Sequence, residues 1–122
     1  MRDGIVITGM GVVTPVGIGV DTYWENLTAG VCGIGEIEQI DTAALPIHRA
    51  AEVHGFHPKD FMPTRLALDL EPYQQYAYAA AEQALAQSGL QGSTRVGIVM
   101  ATALHGLTII TKTQTRIDVR GQ

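Results

Sequence analysis

The sequence predicts an α/β fold in which helices alternate with the strands of a parallel sheet. Two apolar runs, at residues 4–10 and 95–103, are rich in Ile and Val without polar alternation. This pattern is typical of strands that are buried on both faces of a parallel sheet. A strong helical pattern over residues 72–88 lies between them. Strand and helix in alternation therefore favour a layered α/β architecture.

Composition limits the kind of protein this can be. The 122 residues are 46% hydrophobic and 16% charged, which suits one folded unit over residues 1–122 with a modest core. A net charge of −4 with scattered basic residues argues against nucleic-acid binding. The single cysteine excludes an intrachain disulfide and suits a reducing compartment. With neither a signal-peptide pattern nor an apolar run of membrane-spanning length, the expected location is cytoplasmic.

The first apolar run leads into a turn rich in glycine. Gly9, Gly11 and Gly17 flank Thr14 and Pro15 at the expected carboxyl end of the strand. Glycines at such a place indicate a close backbone approach or an unusual backbone path. In open α/β sheets this end of a strand is where ligands usually bind.

A short helix and a weaker strand are predicted next. The helix covers residues 20–29, with Thr22 and Glu25 at capping-box spacing and Gly30 suited to the left-handed position after it. The strand covers residues 48–53. The long connection over 54–70 indicates either a functional loop or an unrecognised helical turn.

The strongest helix is predicted to start at Asp69-Leu70-Glu71-Pro72 and to stop at Ser88-Gly89. Its expected packing face consists of Tyr73, Tyr76, Ala77, Ala80, Ala81, Ala84 and Leu85. The alanines would allow another element to approach closely. After the second apolar run and a turn at His105-Gly106, residues 107–119 are rich in Thr, Ile and Val, which by propensity favours a strand.

The Gly9-x-Gly11 pair raises the possibility of a dinucleotide site. That motif needs a third glycine that opens a helix, whose N-terminus then meets the pyrophosphate. This chain has Thr14-Pro15 at that place and no helix beginning there. A structural turn is therefore the preferred interpretation.

Other candidate site residues have simpler explanations. Cys32 is expected just past a helix C-terminus, where the dipole disfavours a thiolate, so a packing role is preferred over nucleophilic catalysis. Tyr73 and Tyr76 are better explained as core than as a base-stacking platform. Four histidines could in principle bind a metal, but loop or surface packing is preferred; they are His48, His54, His57 and His105.

Several motifs in register resemble a known family, the β-ketoacyl-acyl carrier protein synthases. The opening signature is Val6-Ile7-Thr8-Gly9-Met10-Gly11-Val12-Val13-Thr14-Pro15-Val16-Gly17. The next segment, with Trp24, Leu27, Ala29, Gly30 and Gly33-Ile34, is similar to the family's Trp-x-x-Leu-x-x-Gly-x-Ser-Gly-Ile. The helix around Gln75-Tyr76-Ala77 and the strand Arg95-Val96-Gly97-Ile98 also resemble it. The elongating, KAS II-like branch is most similar, with type II polyketide synthase subunits next.

The resemblance implies a partial thiolase-like fold, namely the opening strands and helices of its N-terminal βαβαβαββ half. The implied activity is a decarboxylative Claisen condensation of an acyl thioester with malonyl-acyl carrier protein, usually by a dimer. The family's catalytic cysteine and two histidines lie beyond Gln122, so this chain is expected to be inactive alone. Cofactors of its own are not expected, because phosphopantetheine arrives on the acyl carrier protein. Expected partners are that carrier and the remainder of the synthase or a homologous subunit.

The resemblance also bears on the segment after the second apolar run. Leu104 would stand at the apolar gate of the acyl pocket, while Ala101, Ala103 and His105 replace family glycines. A helix over residues 107–117 is implied against propensity. Cys32 stands where the family commonly has Ser, in agreement with a packing role.

Two alternatives to an enzyme fragment stay open. One is a non-catalytic interaction module that contacts acyl carrier protein or a full-length synthase. The other is a catalytically silent subunit similar to a chain-length factor.

Overall fold

The computed structural model describes residues 4–90, 92, 95–103 and 106–121. The chain divides into two compact units, Met1–Gly92 and Ser93–Gln122, and each is described by itself. Within the described ranges, helices long and apolar enough to cross a membrane are not found.

The opening of the first unit differs from the predicted strand. Residues 4–12 have no assigned helix or strand, and the first strands are β1, Val13–Thr14, and β2, Gly17–Ile18. These two pair antiparallel as a hairpin, with Val13 opposite Ile18. The prediction of a strand over 4–10 is wrong for this chain, because a strand needs a hydrogen-bonded neighbour and the described residues supply none there. Consequently Ile5 is fully exposed.

The hairpin turn lies within the predicted turn region and is held by the side chain of Thr14. Its Oγ1 accepts hydrogen bonds from the backbone N–H groups of Gly17 at 3.1 Å and Val16 at 3.3 Å, and its hydroxyl lies 3.0 Å from the carbonyl oxygen of Gly17. Such side-chain bonds replace a backbone ladder within a turn. Asn26 Nδ2 donates to the carbonyl of Val16 at 2.7 Å, which ties the turn to the following helix.

Helix α1, Val20–Thr28, confirms the prediction of a short helix in this region. It begins after Gly19, whose φ of 89° only glycine adopts readily, and this cap has no side-chain hydrogen bond. The predicted capping box of Thr22 with Glu25 is therefore wrong, because Thr22 already lies within the first turn. Gly30 has a φ of 74°, the left-handed conformation expected after the helix.

A second antiparallel pair and two short helical segments follow. Strand β3, Gly35–Glu36, pairs with β4, Arg49–Ala50, so the strand predicted over 48–53 is present but shorter. The long connection contains a 3-10 turn, Pro58–Asp60, and α2, Thr64–Asp69. Unrecognised helical turns therefore account for much of its length.

Helix α3, Pro72–Ser88, has nearly the predicted bounds. At its start Glu71 and Gln74 form a reciprocal capping box, in which Gln74 Oε1 accepts from the Glu71 N–H at 2.9 Å. Gly89 ends it with a φ of 67°. Proline in the first turn and glycine after the last were the signals that located both ends.

The packing of the first unit depends on few side chains. Among the described residues, Met62 and Ala79 are the buried apolar ones. Phe56 stacks on Phe61 with ring centroids 5.4 Å apart, and meets Tyr76 edge-on at 4.9 Å. This contact confirms the core role predicted for Tyr76.

The predicted packing face of α3 is only partly correct. Ala81 and Leu85 are exposed, whereas Ala79, which the pattern omitted, is completely buried. Alanine carries little periodic signal because it is frequent on every face of this helix. The covered face therefore includes Ala79 and leaves out Ala81 and Leu85.

Tyr76 provides a test of this packing by pH. Burial, and secondarily the negative charge of Glu52, raise the pKa of Tyr76 above its ordinary value of 10.0. The unfolded chain then ionises Tyr76 first as pH rises, so stability is unaffected below pH 10 and falls above it. We expect the Tyr76→Phe variant to lose less stability than the wild type between about pH 10 and pH 11. Urea midpoints at pH 8 and at the higher pH measure this, and an equal decline in both proteins would contradict it.

The second unit contains an apolar segment at residues 95–103 and, within its described residues, a helix. Residues 95–103 have no assigned strand, and Ile98 and Val99 are exposed, so the strand predicted there is absent. Helix α4, Leu107–Arg120, follows Gly106, whose φ is 70°. The strand favoured by propensity over 107–119 is therefore wrong, and the helix implied by the family resemblance is confirmed. Strand pairs among the described residues are antiparallel, so the predicted parallel sheet is not assembled within them.

Candidate functional site

The glycine segment at residues 9–11 lies directly against the backbone of α3. A Cβ placed on Gly9 would overlap the carbonyl oxygen of Ala84, and one placed on Gly11 would overlap that of Ala80. The small side chains of these two alanines permit the approach, as the sequence predicted. Glycine is required here for closeness, not for a left-handed conformation, because neither residue has a positive φ.

Two glutamines of α3 hold the same segment by hydrogen bonds. Gln87 Oε1 accepts from the backbone N–H of Met10 at 2.6 Å, and Gln83 Oε1 accepts from that of Val12 at 3.1 Å. Two residues of extended chain rise about 6.6 Å, close to the roughly 6.0 Å that four helical residues rise. Contacts two apart on the segment can therefore match contacts four apart on the helix. We call this arrangement, with Gly9 to Val12 on one side and Ala80 to Gln87 on the other, the segment–helix contact.

The segment–helix contact excludes the phosphate-cradle alternative for Gly9-x-Gly11. A phosphate cradle needs free backbone N–H groups and a helix N-terminus facing the anion. Here helix carbonyl oxygens, which repel an anion, lie against the two glycines, and glutamine oxygens accept from the N–H groups of Met10 and Val12. The glycines serve packing.

A shallow groove runs beside this contact. Its volume is about 370 Å³, and Asp21, Gln83 and Gln87 are its polar lining. The apolar lining is Met10, Ile18, Val20 and Phe61. Among the described residues, groups of three or more side chains suited to holding a metal ion are not found. The arrangement can position the backbone of the segment.

The residues that the sequence singled out lie at separate places. Cys32 is exposed in the loop that follows α1. His48 Nδ1 lies 3.2 Å from Thr42 Oγ1, and His54 Nδ1 lies 3.9 Å from Glu38 Oε2. His57 directly precedes the 3-10 turn. Leu104, the predicted acyl-pocket gate, and His105 lie outside the described residues.

Gln83 and Gln87 were not predicted from the sequence. The available signal was a pair of glutamines four residues apart on the helix, opposite two glycines two residues apart. That match becomes meaningful only when the segment is known to run along α3.

Comparison with known proteins decides the family. The model of the β-ketoacyl synthase N-terminal domain matches residues 2–121. The chain belongs to the β-ketoacyl synthase family. The family resemblance of the opening signature is thereby confirmed, together with the partial thiolase-like α/β fold.

Individual relatives of this β-ketoacyl synthase chain support the same family assignment. It is 36% identical over 107 residues to 3-oxoacyl-[acyl-carrier-protein] synthase 2 of Staphylococcus aureus strain N315, covering 84% of this chain and 26% of that protein. The match to the enzyme of the same name from Vibrio cholerae is 36% over 110 residues, covering 87% and 27%. The chain thus spans about a quarter of the length of the curated relatives it matches.

A solved structure shows the same fold. It is described as the ishigamide ketosynthase/chain length factor, and it matches with a TM-score of 0.63 and 36% identity. The match covers 70% of this chain and 21% of that one.

Proposed function

We propose that this chain is the opening scaffold of a 3-oxoacyl-acyl carrier protein synthase. The complete enzyme would join an acyl thioester to malonyl-acyl carrier protein by decarboxylative Claisen condensation, in fatty acid or polyketide biosynthesis. The observation that carries the proposal is the family match over residues 2–121. The catalytic cysteine and histidines would be supplied by sequence outside the matched segment, which is why the isolated chain is proposed to be inactive.

The role proposed for this segment is to position backbone. The segment–helix contact fixes the stretch that leads into the Thr14 turn, at the end of the opening apolar run. Leu104, outside the described residues, is proposed to border the acyl pocket. The chain would need no cofactor of its own, since phosphopantetheine would arrive on an acyl carrier protein in the cytoplasm.

Exposed apolar residues support a larger assembly. Ile5 and Ile7 in the first unit, and Ile98 and Val99 in the second, are at least 82% exposed. Exposed apolar runs of this kind mark surfaces that another polypeptide covers. The proposed cover is the remainder of the synthase or a homologous subunit, in a homodimer or heterodimer.

A chimeric enzyme tests the proposal. The chain replaces the matched opening segment of the Staphylococcus aureus synthase 2, and condensation of acyl-acyl carrier protein with malonyl-acyl carrier protein is measured by mass spectrometry. We expect product from the chimera and none from the isolated chain. Decarboxylation of malonyl-acyl carrier protein is followed in parallel.

Cys32 is the internal control for where the chemistry lies. The Cys32→Ala chimera should keep its activity, because Cys32 is exposed in a loop and is proposed to be outside the site. Turnover by the isolated chain that Cys32→Ala abolishes would refute the proposal. A folded chimera without condensation would refute it equally.

A catalytically silent subunit is the second candidate. It is favoured by the match to a structure described as a ketosynthase/chain length factor. Under this alternative the chain would form a stable pair with an intact ketosynthase. Size-exclusion chromatography of the mixture distinguishes the two: co-elution with an intact synthase supports the subunit, and separate elution supports the scaffold fragment.

A further inference from the structure

We propose that Gln83 and Gln87 act in place of a neighbouring strand along residues 10–12. In a sheet, alternate backbone N–H groups of a strand are accepted by carbonyl oxygens of its neighbour. Here the alternate N–H groups of Met10 and Val12 are accepted instead by two side-chain amide oxygens. The inference does not depend on the condensing activity.

The spacing of the two amides is what makes the substitution possible. Gln83 and Gln87 are one helical turn apart and on the same face of α3, so their oxygens repeat at about 6 Å along the helix. Alternate N–H groups on one edge of an extended segment repeat at nearly the same interval. Each glutamine thereby serves its own residue of the segment.

The glycines set the distance at which these amides can work. With hydrogen in place of Cβ at Gly9 and Gly11, the segment lies on the backbone of α3, close enough for the glutamine side chains to fold back onto it. The Gln83 Cβ itself would be 2.8 Å from a Cβ on Gly11. The two glycines and the two glutamines therefore act together, and we call this set of four residues the device.

The consequence is a limit on strand pairing. An added strand on this edge would need the N–H groups of Met10 and Val12, which α3 already occupies. Residues 4–8 keep that edge available, and pairing on it ends at Thr8. On the same edge the Val12 carbonyl already accepts the Gly19 N–H at 3.0 Å, so the glutamines occupy N–H groups that the hairpin does not bind. The device thus fixes where a sheet on residues 4–8 stops.

Amide hydrogen exchange by NMR on the full chain tests this residue by residue. We expect Gln87→Leu to accelerate exchange at Met10 by about tenfold with little change at Val12, since each net hydrogen bond contributes modestly. Gln83→Leu should do the reverse. Tyr23, whose N–H bonds to the Gly19 carbonyl at 3.0 Å, is the reference amide outside the segment–helix contact.

Gln83→Glu is the matched conservative variant. It keeps an oxygen for the Val12 N–H and removes Nε2, which is buried without a hydrogen-bond partner. Protection of Val12 should therefore persist. The proposal is overturned if Val12 is deprotected in Gln83→Glu while Tyr23 is unchanged. It is also overturned if either leucine variant leaves both amides unchanged, or affects both equally relative to Tyr23.

Discussion

Replacing Gly11 by Ala should destabilise the first unit by about 3 kcal/mol, at the upper end of the usual cost of overpacking. The added Cβ would overlap the carbonyl oxygen of Ala80 and lie 2.8 Å from both the Ala80 carbonyl carbon and the Gln83 Cβ. Two of these three atoms belong to a helix backbone, which cannot rotate away as a side-chain tip can. The segment must therefore move off α3, and the bond from Val12 to Gln83 is lost with it.

The opposing effect of the substitution is smaller. Alanine restricts the unfolded chain and so stabilises a protein by about 0.4–1 kcal/mol where its conformation is tolerated. Gly35→Ala isolates that effect, because a Cβ on Gly35 would have no atom within 4 Å and its φ is not positive. Urea unfolding followed by circular dichroism measures both variants. A Gly11→Ala midpoint equal to that of Gly35→Ala would show that the segment does not lie on α3.

Local signals in the sequence predicted helices α1 and α3 well. Pro72 and Gly89 bound α3, and Gly30 follows α1 in the left-handed conformation, since these residues act through their own backbone geometry. The Thr14 turn was predictable for the same reason. Such features depend on a few neighbouring residues and need no knowledge of the rest of the fold.

Features that depend on distant partners were predicted poorly. The apolar runs at 4–10 and 95–103 have strand composition, yet a strand exists only when another segment accepts its hydrogen bonds. For helix α4, propensity was also misleading. Its Thr, Ile and Val residues favour a strand, but the segment is helical because context overrides propensity. The helical pattern did not include Ala79 in the packing face, because the burial of an alanine depends on which element covers it.

In the candidate site, too, local features were predicted and distant partners were not. Gly9 and Gly11 were identified as a close-approach motif, and their weak match to a dinucleotide motif was correctly set aside because no helix begins after them. The partner of these glycines could not be predicted from the sequence, because Ala80 and Ala84 are more than 65 residues away along the chain. Gln83 and Gln87 could not be predicted as contact residues, because glutamines on a helix are ordinarily solvated.

Replacing Met62 by Ala should cost about 2–5 kcal/mol, the range for truncating a large buried side chain. Met62 is only 4% exposed, and the other buried apolar residue in the described part of the chain is Ala79, which has almost no side chain to contribute. Whole domains are typically stable by only about 5–15 kcal/mol, so a loss of this size removes much of the stability of the first unit. The expected result is a clearly lower midpoint of thermal unfolding.

Two substitutions separate the loss of Met62 packing from a general loss of apolar surface. Leu68→Ala removes a comparable apolar side chain that is 82% exposed, so its stability should stay within about 0.5 kcal/mol of the wild type. Met62→Leu keeps the volume and should cost less than about 1.5 kcal/mol. The backbone bond from the Met62 N–H to the Pro58 carbonyl, at 2.9 Å, is available to all three side chains at position 62. Differences among them therefore report the packing of the side chain, and equal stability of Met62→Ala and Leu68→Ala would place the core of this unit elsewhere.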